Sequence, residues 1–163
     1  MIFGKVRDPR FITVRRGGTL QTEFPAEIAG LSVIDATQNG QAWFFIGYPM
    51  ALLARLYRLT GERAFLTSAC SYFDFARRCG ERLIGEHFAH KVAWGAAELA
   101  RVTGNPDHLA LSAQIAERLI AAQGENGSWM LDQPMHIALD QSAEVAIWLL
   151  EIGALWAGVE GRC

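Results

Sequence analysis

Apolar residues change their spacing early in the chain. "FITVRRGGTLQTEF" (residues 11–24) holds a β-branched run, a Gly-Gly pair and a second short alternating run, which together predict a β-hairpin. Residues 25–41 show no clean period. From Trp43 onward, apolar residues recur every three or four positions, as in amphipathic helices. The pattern predicts an all-α fold over residues 43–157, preceded by a hairpin and loop in residues 1–42.

Two helices are predicted at the start of the helical region. "PMALLARLYRLTG" has Pro49 at the first helical position and Gly61 just past the end, the usual asymmetry of helix termini. "ERAFLTSACSYFDFARRCG" (residues 62–80) follows, with one apolar face and Gly80 as its end. The two segments predict a helical hairpin.

The same two-helix pattern then recurs. "GAAELARVTG" matches the first helix and "NPDHLALSAQIAERLIAAQ" the second, and Thr60-Gly61 and Thr103-Gly104 are 43 residues apart. "DQSAEVAIWLLEIGALW" (residues 140–156) matches the first helix once more. A period near 43 residues predicts hairpin repeats with at least five helices in all. Leucines at equivalent positions are expected to be buried: Leu56, Leu66, Leu99 and Leu109.

The segment after the second hairpin, "QGENGSW", carries a family resemblance. Gln123, Gly127 and Trp129 resemble the QW motif that caps helical hairpins in terpenoid cyclases. The hairpins themselves resemble the α/α-toroid superfamily, which also includes protein prenyltransferase β subunits and sugar epimerases and glycosidases. The resemblance covers about residues 43–157 and implies a partial α/α toroid with a short N-terminal β-hairpin.

The catalytic motifs of that superfamily are not found in this sequence. The Asp-x-Asp-Asp acid motif of class II cyclases is missing, since Asp132 and Asp140 are isolated, and no Asp-x-Cys zinc motif occurs. A complete toroid also needs about twice as many helices as the pattern provides. The resemblance therefore implies a partial toroid that is completed by self-association or left open as a groove, with neither activity carried over.

Composition narrows the class of protein. The 163 residues, predicted to form a single domain, have a net charge of −2 and no long basic run, which argues against binding to nucleic acid or an anionic membrane. No apolar stretch is long enough for a membrane span. Cys70, Cys79 and Cys163 show no zinc or disulfide spacing, and a reduced, cytoplasmic protein is expected.

The residues most suited to catalysis or binding lie at the start of the first helix in each of the three repeated segments. Because equivalent positions of stacked hairpins are neighbours in space, these starts are expected to surround one cavity. Helix N-termini would favour anionic groups there. The residues are Trp43, Phe44 and Tyr48 in the first helix, His87, His90, Lys91 and Trp94 in the second, and His136, Asp140 and Glu144 in the third.

Each group has a predicted role and a structural alternative. Asp140 or Glu144 is the candidate general acid or base, with a carboxylate pKa raised by burial, and His87 or His90 its partner. The candidate substrate-binding residues are Trp43, Phe44, Tyr48, Lys91, Trp94 and His136. No metal or cofactor is predicted, since the histidine pair lacks a third ligand.

The structural alternatives are equally concrete. Asp140 could cap the last helix, Trp43 and Phe44 could cover the core, and the two histidines could lie at a solvated helix start. His108 is expected on a surface loop. Cys70 is expected to be a buried packing residue and not a nucleophile.

Two functions follow from this reading. The first is a small enzyme with an aromatic-lined pocket that carries out acid/base isomerisation, cyclisation or elimination on an apolar or sugar-ring substrate. The second is a non-catalytic repeat scaffold whose groove binds a peptide or a partner subunit. The last helix is apolar nearly all round, with Trp148 and Trp156 eight residues apart, and predicts a homo-oligomer or a second helical chain as partner.

Overall fold

The structure, a computed structural model, describes residues 5–7, 10–12, 15–17, 19–130 and 133–160. These residues are mostly helical, with short strands near the N-terminus. The strands are β1 (Lys5–Arg7), β2 (Arg10–Ile12), β3 (Arg15–Arg16), β4 (Thr19–Leu20) and β5 (Val33–Asp35). The helices are α1 (Ala26–Ser32), α2 (Phe44–Thr60), α3 (Arg63–Cys79), α4 (Glu81–Ile84), α5 (His90–Thr103), α6 (Pro106–Ala121) and α7 (Met135–Glu160), with a 3-10 turn at His87–Ala89. No helix within the described ranges has the length and hydropathy needed to cross a membrane.

The N-terminal strands form two small antiparallel sheets. β3 pairs with β4 beside Gly17, which confirms the predicted strand pair. β1, β2 and β5 form a second sheet, in which Phe11 lies opposite Ile34. Neither α1 nor β5 was predicted, because their segment has no period of its own. The sheet joins the core through Phe11, whose ring lies 5.0 Å from that of Tyr72 on α3.

Helix α5 lies at the centre of the fold. Residues 90–100 are all buried, and α2, α6 and α7 pack around them while α3 packs on α2. α2 and α5 approach closely at two glycines: a methyl group at Gly47 would lie 2.3 Å from the backbone of Lys91, and one at Gly95 would lie 2.8 Å from the Gly47 carbonyl oxygen. The absence of side chains at this crossing allows the two backbones to touch.

The predicted ends of the first helices are confirmed. Gly61 and Gly104 both have left-handed backbone conformations, with φ of +71° and +66°. Their amides donate to the carbonyl oxygens of Tyr57 and Ala100. Glycine is favoured here because it adopts positive φ without strain, and each bond satisfies a carbonyl at the helix terminus.

Two helix starts lie earlier than the sequence pattern predicts. α2 begins at Phe44, so that Pro49 lies inside it, because Trp43 and Ile46 are fully buried and this burial outweighs the local preference of proline. α7 begins at Met135, where the preceding Pro134 carbonyl accepts the amide of Ala138.

The burial expected of four equivalent leucines is only partly correct. Leu99 is fully buried, as it lies on the central helix. Leu56, Leu66 and Leu109 are half-buried, because they lie on helices that have one solvent-facing side. Equivalent sequence positions therefore differ in burial according to how many neighbours their helix has.

The QGENGSW segment connects α6 to α7 through specific hydrogen bonds. The indole Nε1 of Trp129 donates to the Leu119 carbonyl oxygen at 2.7 Å, near the end of α6. The Trp129 amide donates to Ser142 Oγ on α7 at 2.8 Å. Gln123 Nε2 donates to the carbonyl oxygen of Gly127, whose φ is +82°. The segment therefore closes the C-terminus of one helix and fixes the start of the next.

Candidate functional site

Side chains from three helices meet at one end of the fold. Glu144 on α7 accepts through Oε1 from Lys91 Nζ on α5 at 2.9 Å and from the Tyr48 hydroxyl on α2 at 3.2 Å. Tyr48 and Glu144 are 96 residues apart in sequence. The three segments that the sequence pattern brought together therefore meet at Tyr48, Lys91 and Glu144, although Glu144 lies inside α7 and not at its start.

Lys91 is held in an aromatic cage. Its side chain is 6% exposed, and Nζ lies 5.7 Å from the ring centroid of Phe44, 5.6 Å from that of Tyr48 and 5.1 Å from that of Phe88. A desolvated ammonium is stabilised by the negative faces of such rings and by one carboxylate. The cage fixes Lys91 towards Glu144, so this lysine does not reach solvent.

His90 lies beside this pair and is fully buried. Its Nδ1 contacts the carbonyl oxygen of His87, so that Nδ1 carries the proton and Nε2 the lone pair. Burial lowers the pKa of His90 to about 4, which keeps the ring neutral. Nε2 has no hydrogen-bond partner among the described residues and lies 3.8 Å from Glu144 Oε2. Two proton acceptors thus face each other across a short gap.

The pKa of the Glu144 carboxyl is shifted in the direction opposite to the prediction. Burial raises its carboxyl pKa, but the hydrogen bond and charge of Lys91, together with His90 and the Tyr48 hydroxyl, outweigh burial and leave the pKa lowered. The prediction that a carboxylate here has a raised pKa is therefore wrong for Glu144. Burial is the larger cause, and the charge and hydrogen bond of Glu144 the smaller, that together raise the pKa of Tyr48 to about 12. Glu144 is ionised and Tyr48 protonated at neutral pH.

An aromatic floor adjoins the carboxylate. The rings of Trp94 on α5 and Trp148 on α7 lie 4.3 Å apart, and Tyr48 meets both edge-on. A cavity of about 350 Å³ opens beside them. It is lined by Tyr48, Pro49, Leu52, Arg55 and Trp94. The Trp94 Nε1 is buried without a hydrogen-bond partner among the described residues. The floor suits a flat apolar ring.

Next to this floor, the fully buried Glu98 pairs with a partly exposed arginine. Glu98 is fully buried and accepts from Arg55 Nε at 2.7 Å, while Arg101 binds its other oxygen. The guanidinium carbon of Arg55 lies 4.8 Å from the Trp94 ring centroid. Nε and Nη2 of Arg55 both bind Glu98, and the Arg55 side chain also lines the cavity.

The other predicted site residues lie apart from this cluster or at its edge. Trp43 is fully buried in the core, as its structural alternative proposed. Phe44 and His87 are half-buried, Phe44 in the Lys91 cage and His87 against Phe88, 3.9 Å between centroids. His136 is exposed on the first turn of α7.

Asp140 is exposed in the second turn of α7, where its carboxylate accepts from Gln141. It does not cap this helix, because the helix has already begun at Met135. Nothing in its contacts joins it to Glu144 or His90.

Two further sequence expectations need correction. His108 is buried rather than on a surface loop: it lies in the first turn of α6, with its Nδ1 2.8 Å from Thr103 Oγ1, and burial lowers its pKa. Cys70 is half-buried, and burial raises its pKa, as it raises that of Cys79 to about 12. Both thiols are therefore protonated at neutral pH. Asp132 and Cys163 lie outside the described residues.

Sequence reasoning missed Phe88, Trp148 and the Arg55–Glu98 pair as parts of the site. Arg55 and Glu98 are 43 residues apart, the spacing that also separates Thr60-Gly61 from Thr103-Gly104, so opposite charges at that spacing could have revealed the pair. Phe88 and Trp148 have no charged counterpart at this spacing, so it carried no signal for their contacts.

Within the described ranges, no group of three or more His, Cys, Asp and Glu side chains is arranged to hold a metal ion. Comparison with models of protein families, with curated proteins and with solved structures finds no match for this chain. The site must therefore be interpreted from its own geometry.

Proposed function

We propose that this chain is part of an α/α toroid and a small acid/base enzyme, with Glu144 as its proton acceptor. The observation that carries the proposal is the pairing of an ionised, partly exposed carboxylate with a buried neutral histidine at the edge of an aromatic cavity. The reaction class is isomerisation or elimination on a ring-shaped substrate.

His90 can stabilise the protonated form of Glu144. Lys91 and Tyr48 both bind Oε1, so Oε2 is the oxygen that faces His90. A proton taken up by Oε2 can be donated as a hydrogen bond to the free Nε2 of His90, which stabilises the protonated carboxyl. The same proton can return to another atom of the substrate or leave with its leaving group. His90 is then a positioning residue, since it does not reach the substrate itself.

The substrate is proposed to lie on Trp94 and Tyr48. Their rings, with Leu52, give an apolar wall. Aromatic walls accept both apolar rings and the apolar faces of sugars. Glu144, bonded to Tyr48, places its carboxylate beside this wall.

Proton abstraction can be tested without knowing the substrate. The protein is incubated in D2O with cyclic ketones and with reducing sugars, both of which carry an acidic C–H next to a carbonyl group. NMR then follows the replacement of that hydrogen by deuterium. We expect one of the two classes to exchange, and the variant Glu144→Gln to slow this exchange by about 10²- to 10⁴-fold.

The matched control is Glu151→Gln, which changes an exposed carboxylate on the same helix. It is expected to exchange at the wild-type rate. His90→Gln should slow the exchange and shift its pH profile, because the proton loses its acceptor. A Glu144→Gln protein that still catalyses exchange at the wild-type rate, or a wild type that exchanges neither class, refutes the proposal.

One observation favours the second function, a non-catalytic scaffold. The side of α7 that faces away from the core is apolar and exposed, as expected of a surface that binds another helix. In that case Glu144 and Lys91 only fix α7 to α5, and ring compounds leave the protein unchanged in the same experiment.

A further inference from the structure

The outer face of α7 is apolar along most of its length. Its large side chains are exposed: Met135 by 78%, Leu139 by 63%, Ile147 by 59% and Leu150 by 75%. These residues follow one another at intervals of three, four or eight positions, so they lie along one side of the helix. No Lys or Arg occurs between Met135 and Glu160.

The opposite side of α7 is already covered. Val145, Ile152 and Leu155 are buried against the core. A helix that is apolar on both sides is expected to be buried on both sides. The outer face is therefore an apolar surface that nothing covers among the described residues of one copy.

The sequence of this face is complementary to itself. When a second α7 runs antiparallel about a two-fold axis between Ala146 and Ile147, large residues oppose small ones throughout. The opposing pairs are Leu150 with Ala143, Leu139 with Ala154, Met135 with Gly158 and Ile147 with Ala146. Small residues opposite large ones allow two helices to interdigitate.

The glycines of this face are not covered within one copy. A methyl group at Gly153 or Gly158 would meet nothing within 4 Å in one copy, so the small positions lie open to a partner.

We propose that two copies of this chain associate through the outer faces of α7, antiparallel about this two-fold axis. The large side chains expose on the order of 100 Å² each. With the Ala and Gly positions between them they provide roughly 600 Å² in each copy, near the roughly 800 Å² per partner of a stable interface. This association is independent of the proposed catalytic role of Glu144, which lies on the covered side of the helix.

The first test measures the mass of the protein in solution. Sedimentation equilibrium should give a dimer at micromolar concentration. Leu150→Glu should weaken the dimer at least 100-fold, because the carboxylate would be buried in the interface without a partner. The control is Leu59→Glu at the end of α2, which is 74% exposed and lies outside this face. It should dimerise as the wild type does, and circular dichroism should show both variants folded.

The second test determines the orientation. With Cys70 and Cys163 replaced by Ser, Ala146→Cys should link to itself through a short bis-maleimide, since the two copies of residue 146 lie next to the axis. Leu139→Cys should not link to itself, because its two copies lie about 22 Å apart along the helix axis. A mixture of Leu139→Cys and Ala154→Cys chains should link.

Self-linking at residue 139 without linking of the mixture would show a parallel pair and overturn the arrangement. A wild-type monomer at tens of micromolar overturns the proposal as a whole. Dimerisation that Leu150→Glu leaves intact assigns the interface to another surface and overturns it as well.

Discussion

The crossing of α2 and α5 allows one stability effect to be worked out from distances. Replacing Gly47 with Ala adds a methyl group 2.3 Å from the backbone carbon and oxygen of Lys91 and 2.6 Å from the Val92 amide nitrogen. Ordinary contact begins at 3.4 Å, so the two helices would have to separate by about 1 Å. The obstacle is backbone on a fully buried helix and cannot turn aside.

Two opposing contributions set the size of the effect. Alanine is favoured over glycine inside a helix by about 1 kcal/mol. Overpacking a core costs about 1–3 kcal/mol, and a clash with backbone belongs at the upper end. The net expectation is a loss of about 2 kcal/mol in the free energy of unfolding, or about 4–8 °C in Tm for a domain of this size. Separation of α5 from α2 would also move Lys91 away from the Tyr48 ring.

Urea denaturation of Gly47→Ala and of Gly30→Ala provides the measurement. Gly30 lies in α1 with nothing within 4 Å of an added methyl group, so its substitution should be neutral or stabilising by up to about 1 kcal/mol. If Gly47→Ala is as stable as the wild type, or gains stability as Gly30→Ala does, the two helices are not in backbone contact and the reasoning is refuted.

Three further predictions concern buried polar groups. Since the pKa of His90 is about 4 in the fold and 6.5 otherwise, the unfolded chain binds more protons between these values. The free energy of unfolding should therefore fall by roughly 3 kcal/mol as pH drops through that window. Urea titrations at pH 7 and pH 4 should show a smaller fall for His90→Gln. Glu98→Gln weakens the hydrogen bonds that Arg55 and Arg101 donate to residue 98 and should cost about 1–3 kcal/mol at neutral pH, measured by the same denaturation, because both guanidinium groups keep some contact with solvent. Trp129→Phe removes the bond to the Leu119 carbonyl and should lower stability by about 1–3 kcal/mol, and an unchanged Tm would contradict the capping role.

The candidate site was predictable where it depended on aligning similar segments of the sequence. Aligning helix starts brought Tyr48, Lys91, Trp94 and Glu144 together from three segments, and the structure places them in contact. The same alignment included Asp140, which is exposed because it lies on the side of α7 that faces away from the core. The alignment supplies neighbours but not the side of each helix on which a residue lies.

Helix ends and turns were determined by the sequence itself. Gly61 and Gly104 end their helices in the left-handed conformation because glycine alone adopts it without strain, and this preference is local. The apolar period likewise predicted α3, α5 and α6 without knowledge of their partners.

Burial and ionisation were decided by the tertiary structure alone. His90 and Lys91 stand at a polar helix start in the sequence, yet they are buried because α2 and α7 close over α5. α2 begins before Pro49 because Trp43, next to its first residue, is buried in the core. The carboxyl pKa of Glu144 is lowered in spite of burial because a lysine 53 residues away lies 2.9 Å from it. Each outcome depends on side chains that meet only after the chain has folded, so no local pattern records it.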